Sequence, residues 1–423
     1  MSSVTAPRAE LARRLGLGDA VFIGLGSMIG AGVFAAYAPA ARAAGTGLLI
    51  GLGVAAVVAY CNATASAQLA AAYPRAGGTY LYGREVLGDW WGYLAGWGFM
   101  VGKTASCAAM ALTFAAYVAP DGWSRPIAAT VVVVLALVNC AGVTRTALLT
   151  RVLVSLVLVA LVVAAVACFR GGSTSGLDGW SSPEQGLYGV LQSAGLLFFA
   201  FAGYARIATL GEEVRDPERV IPRAIVVALA GAVVVYAVVA VAVLSVVGGS
   251  GTAASSAPLA DAVRAVAAPW VAGVLRLGAA LASAGALLAL IAGLGRTGLA
   301  MARERDLPRW LDAVHPRFRV PHRAELAVAA IVVVLVLTTD LRGAIGFSSF
   351  GVLLYYFVAN ASAYRQSPDA RRFPRWLQLV GCTGCLVLVA SLPWHSVLIG
   401  LVVFALGLLL RLLRLRGMLN GAF

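Results

Sequence analysis

Uninterrupted apolar runs of about 20 residues recur along the whole 423-residue chain and limit what it can fold into more than any motif does. A run of that length, wound as a helix rising about 1.5 Å per residue, matches the roughly 30 Å hydrocarbon core of a bilayer. Twelve such runs fall at 18–40, 46–72, 88–118, 126–143, 146–169, 186–211, 222–247, 269–300, 323–340, 343–363, 376–392 and 394–411. With 61% of residues hydrophobic and 12% charged, the chain carries about half the usual charge of a soluble protein. An all-α polytopic membrane protein of twelve transmembrane helices follows. The run from residue 18 has no small-residue cleavage site and reads as a retained first helix.

The net charge of +14 does not point to nucleic acid, because the arginines stand in short clusters between apolar runs rather than on one basic face. Their distribution fixes topology instead. With the N-terminus inside, 25 arginines fall in inner loops and helix ends and six fall outside (Arg42, Arg125, Arg170, Arg264, Arg276, Arg342); Lys103, within a span, completes the 32 basic residues. Both termini are therefore expected in the cytoplasm, with the protein in the plasma (inner) membrane. No loop is long enough to fold separately, so the function is expected inside the bilayer. Cys382 and Cys385 form a C-x-x-C with no second ligand pair, which favours cysteine as a small buried residue over a metal or redox site. No cofactor, metal or nucleic-acid partner is expected; a small-molecule substrate and the lipid bilayer are, with the oligomeric state left open.

Two glycine-bearing interruptions carry the functional reading. The first span contains Gly24-Leu25-Gly26-Ser27-Met28-Ile29-Gly30-Ala31-Gly32. Small residues at such spacing let helices pack closely. Alternatively, the stretch unwinds and its free N–H groups hold a carboxylate. The sixth span reads Phe198-Phe199-Ala200-Phe201-Ala202-Gly203-Tyr204-Ala205-Arg206, with a glycine near its middle between aromatics. Breaks in spans one and six are what an inverted repeat of five plus five helices produces, with substrate held between them.

Gly26–Gly32 (G-S-M-I-G-A-G) resembles the first-helix signature of amino acid–polyamine–organocation permeases. Pro74-Arg75-Ala76-Gly77-Gly78-Thr79-Tyr80, Glu212-Glu213-Val214-Arg215-Asp216-Pro217 with Ile221-Pro222, and Arg296 through Met301-Ala302-Arg303-Glu304 to Leu307-Pro308 are similar to three further stretches of that family. The resemblance covers residues 16–325 in order. It implies repeat one over 16–170 and repeat two over 186–365, helices eleven and twelve over 374–416, and tails at 1–15 and 417–423. It also implies a secondary active transporter of amino acids working by alternating access, not an enzyme. Carried over, the backbone of Ser27, Met28, Ile29, Gly30, Ala31 and Gly32 would hold the substrate carboxylate. Carbonyls near Phe201–Gly203, at Ala202 and Gly203, would take the amino group, and Phe199, Phe201 and Tyr204 would shape the pocket. The chain departs from the family where Ala205, then Arg206, follows the sixth-span aromatic, and where only Ser155 is polar in the fifth-span region that carries a lysine in sodium-independent relatives.

Instead the sole lysine, Lys103, sits near the middle of span three. A charge at that depth costs at least about 3 kcal/mol and is expected to face the protein interior. It reads as a coupling group, a proton carrier or a fixed positive charge, against a purely structural lysine bound to carbonyls. Arg206 gates the inner mouth or pairs with Glu212 or Glu213, and Ser283 is the third coupling candidate, or simply bonds its own helix. No acidic residue falls at mid-membrane, which favours neutral amino acids with proton symport or exchange. A cationic amino acid or polyamine transporter, or a membrane sensor that does not translocate, remains the alternative.

Overall fold

The computed structural model describes residues 15–74, 77–142, 147–178, 186–211, 213–267 and 269–419. Arg8, Arg13, Arg14, Arg75, Ala76, Arg145 and Glu212 lie outside the described residues. In chain order the helices are α1 (Leu17–Ile29), α2 (Gly32–Ala35), α3 (Tyr37–Ala44), α4 (Leu48–Ala72), α5 (Gly78–Leu87), α6 (Asp89–Val118), α7 (Ser124–Cys140), α8 (Ala147–Gly171), α9 (Gly186–Phe201), α10 (Ala205–Ala208), α11 (Pro217–Ala254), α12 (Pro258–Val266), α13 (Pro269–Arg303), α14 (His322–Thr338), α15 (Leu341–Arg365), α16 (Arg375–Ser391) and α17 (Trp394–Leu419). Among the described residues there is no sheet, only an isolated bridge between Leu15 and Val214.

Among the described residues nine helical stretches are long and apolar enough to cross a membrane, so the protein is polytopic. The sequence reading expected twelve, and the difference lies in three helices. At 17 residues each, α7, α14 and α16 extend about 25 Å, short of the hydrocarbon core. The sequence runs assigned to them are themselves only about 17 or 18 residues long, at the lower limit for a crossing. Two boundaries also merge what the sequence separates. Tyr37–Ala72 is one apolar stretch turned at Gly45 (φ 56°), and α11 continues through a kink at Gly248 (φ 65°).

Spans are held by small residues rather than by burial from water, since lipid is as apolar as a core. Along α6 and α15, a Cβ on Gly351 would meet the Gly102 Cα at 2.8 Å, so the two backbones nearly touch. The Ser106 and Ser348 hydroxyls share a hydrogen bond of 2.6 Å inside this contact. These helices, with α13, form the wall against which α1 and α9 break.

Candidate functional site

The hydrogen-bond ladder of α1 ends where Gly30 N–H donates to Gly26 O, and Gly30 departs to φ −40°, ψ −80°. It resumes in α2 with Ala35 N–H on Ala31 O. In the sixth span, α9 gives way to a 3₁₀ turn over Ala202–Tyr204 before α10. The two breaks meet. A Cβ on Gly203 would lie 2.6 Å from Met28 N and closer still to the Ser27 carbonyl, and one on Gly32 would lie 2.7 Å from Ala200 Cα. The glycines interrupt the helices and let the interrupted backbones touch.

Beside this junction lies a cavity of about 480 Å³. Ser27, Ile29, Gly30, Lys103, Ala202, Gly203 and Arg206 line it. Met28, Ala31, Gly32, Phe199, Phe201, Tyr204 and Ser283 are absent from its wall. Phe201 is buried edge-on against Tyr236 at 5.0 Å, and Tyr204 stacks on Tyr356 at 5.1 Å. Ser283 is fully buried, and its hydroxyl has no hydrogen-bond partner among the described residues, so it does not bond its own helix. The aromatic wall comes from Tyr80, Phe99 and Tyr355. Tyr80 stands in the quoted third-span motif, while nothing in the sequence distinguishes Phe99 or Tyr355 from other core aromatics.

Lys103 is 8% exposed, and its Nζ donates to Ala202 O at 3.1 Å. The Tyr356 hydroxyl donates to the same oxygen at 3.3 Å. Among the described residues no carboxylate lies within ion-pair distance of Lys103. Arg206 donates to Thr209 Oγ1 at 3.3 Å, and no ion pair joins it to Glu213; Glu212 lies outside the described residues.

One end of the cavity is formed by Leu15, Glu213, Arg296, Thr297 and Ala300. Leu15 N–H bonds Glu213 O at 3.0 Å, and Arg215 N–H bonds Leu15 O at 2.9 Å, tying the start of α1 to the loop after α10. Phe34 meets Tyr117 edge-on at 5.5 Å, Tyr117 O accepts from Arg276 Nε at 2.8 Å, and the Tyr37 hydroxyl bonds Tyr236 O at 2.9 Å.

Asp306, in the loop after α13, ties α5 to α17. Its Oδ2 accepts from the Tyr80 hydroxyl at 2.8 Å and from Arg84 at 3.2 Å, and its Oδ1 lies 3.2 Å from Arg411 of α17. The Arg411 guanidinium sits between Trp90 and Tyr93, 4.7 and 4.6 Å from their ring centres. Burial pushes the Asp306 carboxyl above the usual carboxylate range, opposed by the Tyr80 hydroxyl and both guanidiniums.

An amino acid permease family profile matches residues 15–408. The chain belongs to that family. An uncharacterized transporter of Mycobacterium tuberculosis is 60% identical to the permease over 94% of this chain and 90% of its own length. The branched-chain amino acid permease BcaP of Bacillus subtilis is 25% identical over 96% and 95%. Cationic amino acid transporter 7 of Arabidopsis thaliana, chloroplastic, is 29% identical over 86% and 68%. The permease is thus a multi-pass membrane transporter rather than an enzyme, and its family makes an amino acid its substrate.

Proposed function

We propose that the protein is a secondary active amino acid transporter of the plasma membrane, coupled to protons by symport or exchange and favouring neutral side chains. The observation that carries this reading is the contact between the two broken spans beside a cavity whose wall includes Lys103. In this reading twelve segments cross the membrane, α7, α14 and α16 included. Two five-helix repeats over 16–170 and 186–365 are followed by helices eleven and twelve over 374–416, with both termini cytoplasmic. The cavity then faces the cytoplasm, with its outer side shut by Phe34 and Tyr117.

The charges favour a substrate that brings its own carboxylate and no extra cation. Lys103, Arg206 and Arg296 line the cavity against the single carboxylate Glu213 among the described residues. The backbone around Ser27–Gly32 would orient that carboxylate, with Arg206 and Ser283 as further candidates for coupling. Relatives named as cationic amino acid transporters support a second reading, in which Glu213 receives a cationic side chain at the inner mouth.

Purified protein in liposomes, acid outside, tests the proposal by uptake of radiolabelled amino acids. Accumulation of a neutral amino acid that collapses with a protonophore, and is lost in Lys103→Ala, is expected. Full gradient-driven accumulation by Lys103→Ala removes the coupling role, and no uptake of any amino acid removes the transport reading.

A further inference from the structure

The protein's own lysine rests on a carbonyl of the broken sixth span. Lys103 ends in a primary ammonium on a four-carbon chain, and that ammonium rests on the Ala202 carbonyl at 3.1 Å, beside the Tyr356 hydroxyl and within the cavity wall. The carbonyl belongs to the 3₁₀ turn, and its two side-chain donors come from different helices, α6 and α15. Arg206, the cation that the sixth span itself contributes to the wall, is held by Thr209.

We propose that Lys103 is a tethered occupant of Ala202 O, the carbonyl that the family resemblance gives to the substrate's amino group, so that a free alkylammonium or the α-ammonium of a substrate enters only when the lysine side chain leaves. The subsite takes compact primary ammonium groups. An ammonium donates three hydrogen bonds and tolerates a shared acceptor, whereas a planar guanidinium presses a fork of donors against a single carbonyl. Occupancy by Lys103 gives the empty carrier a second, charged donor on a buried carbonyl that the Tyr356 hydroxyl alone would otherwise hold. It also makes binding competitive, because the fraction of carriers with the subsite free sets the apparent affinity. A released Lys103 lies beside the incoming molecule, where its positive charge meets a carboxylate. The inference deepens the transport reading, yet its binding arm needs no transport.

Full-length protein in detergent tests it by thermal shift. Lys103→Ala removes the occupant and opens a channel the length of a butyl chain, so n-butylammonium should stabilise that variant with a half-saturating concentration at least tenfold below that for wild type. Tetramethylammonium, which has no N–H, and n-butanol, which has no charge, should not. Lys103→Met keeps the chain's bulk and drops the ammonium; it should bind a zwitterionic amino acid about tenfold more tightly than wild type, with Lys103→Arg unchanged or weaker. Equal butylammonium responses in wild type and Lys103→Ala, or amino acid binding in Lys103→Met no tighter than in wild type, overturns the proposal. If Lys103→Ala cannot be purified alone, recovery of folded protein when butylammonium is added during extraction supports the subsite, and failure to recover any, with Lys103→Met binding unimproved, overturns it. Amino acid uptake by a protein whose Lys103→Ala form ignores butylammonium keeps the transport reading and removes this one; the reverse pattern does the opposite.

Discussion

Gly203→Ala places one methyl group where two broken backbones meet. Its Cβ would lie 2.6 Å from Met28 N, where ordinary van der Waals contact begins at 3.4 Å, so the breaks must separate by about 0.8 Å. The clashing atoms are backbone of α1, and no rotamer change relieves them. Overpacking of this kind costs about 1–3 kcal/mol, and a shift near 1 Å at a binding site lowers function by about a hundredfold. The Ala202 carbonyl moves with Gly203, which also lengthens its bond from Lys103. The control is Gly53→Ala on α4, where a Cβ meets nothing within 4 Å. There alanine should stabilise the helix by up to about 1 kcal/mol. Thermal unfolding of purified protein should show Gly203→Ala melting several degrees below wild type and Gly53→Ala at or above it, with amino acid binding lost only in the first. If Gly203→Ala melts with Gly53→Ala and binds normally, the two breaks do not touch as described.

Tyr356→Phe removes one of the two donors on Ala202 O while leaving the ring stack on Tyr204; a loss of about 0.5–1.5 kcal/mol is expected by thermal unfolding, smaller than for Lys103→Ala. Because burial raises the folded-state carboxyl of Asp306 above its unfolded value, the fold holds that proton more tightly: this contribution is fully present below the ordinary carboxylate range and is lost as pH rises through the raised value. Asp306→Asn should therefore match wild type at acid pH and show a flatter melting profile toward neutrality. Arg411→Met, which removes a cation that lowers that carboxyl, should steepen the loss. In competition uptake assays, neutral amino acids should displace a labelled neutral substrate better than arginine or lysine; arginine outcompeting every neutral amino acid would reverse the substrate preference.

The helices were legible because a bilayer demands about 20 apolar residues for each crossing, and the breaks were legible because glycines cluster in the first span and Gly203 stands alone between aromatics in the sixth. The facing of side chains was not. In a soluble helix polar residues mark the outer side, but here lipid-facing and core-facing positions are equally apolar. Hence Phe199, Phe201 and Tyr204, carried over from the family resemblance, stand away from the cavity wall, while Phe99 and Tyr355 on distant spans form part of it. Lys103 could be singled out from its depth alone. Its partner, a carbonyl 99 residues away, depends on which face of α6 meets the sixth span, and no local pattern encodes that.

A helix broken inside a bilayer must have its freed carbonyls satisfied by protein, and this chain does so with remote side chains. Ala200 O accepts from the Tyr236 hydroxyl at 2.9 Å, Phe34 O from Tyr117 at 3.4 Å, and Ala202 O from Tyr356 and Lys103. Three of these donors are tyrosine hydroxyls on rigid rings, each packed against another aromatic, so each holds its carbonyl only while its helix stays in place. Lys103 differs: its four-carbon stem lets the ammonium leave or return without any helix moving. A transporter needs one contact at its binding site that can be exchanged for substrate while the surrounding scaffold keeps its shape, and among these four donors only the lysine meets that requirement.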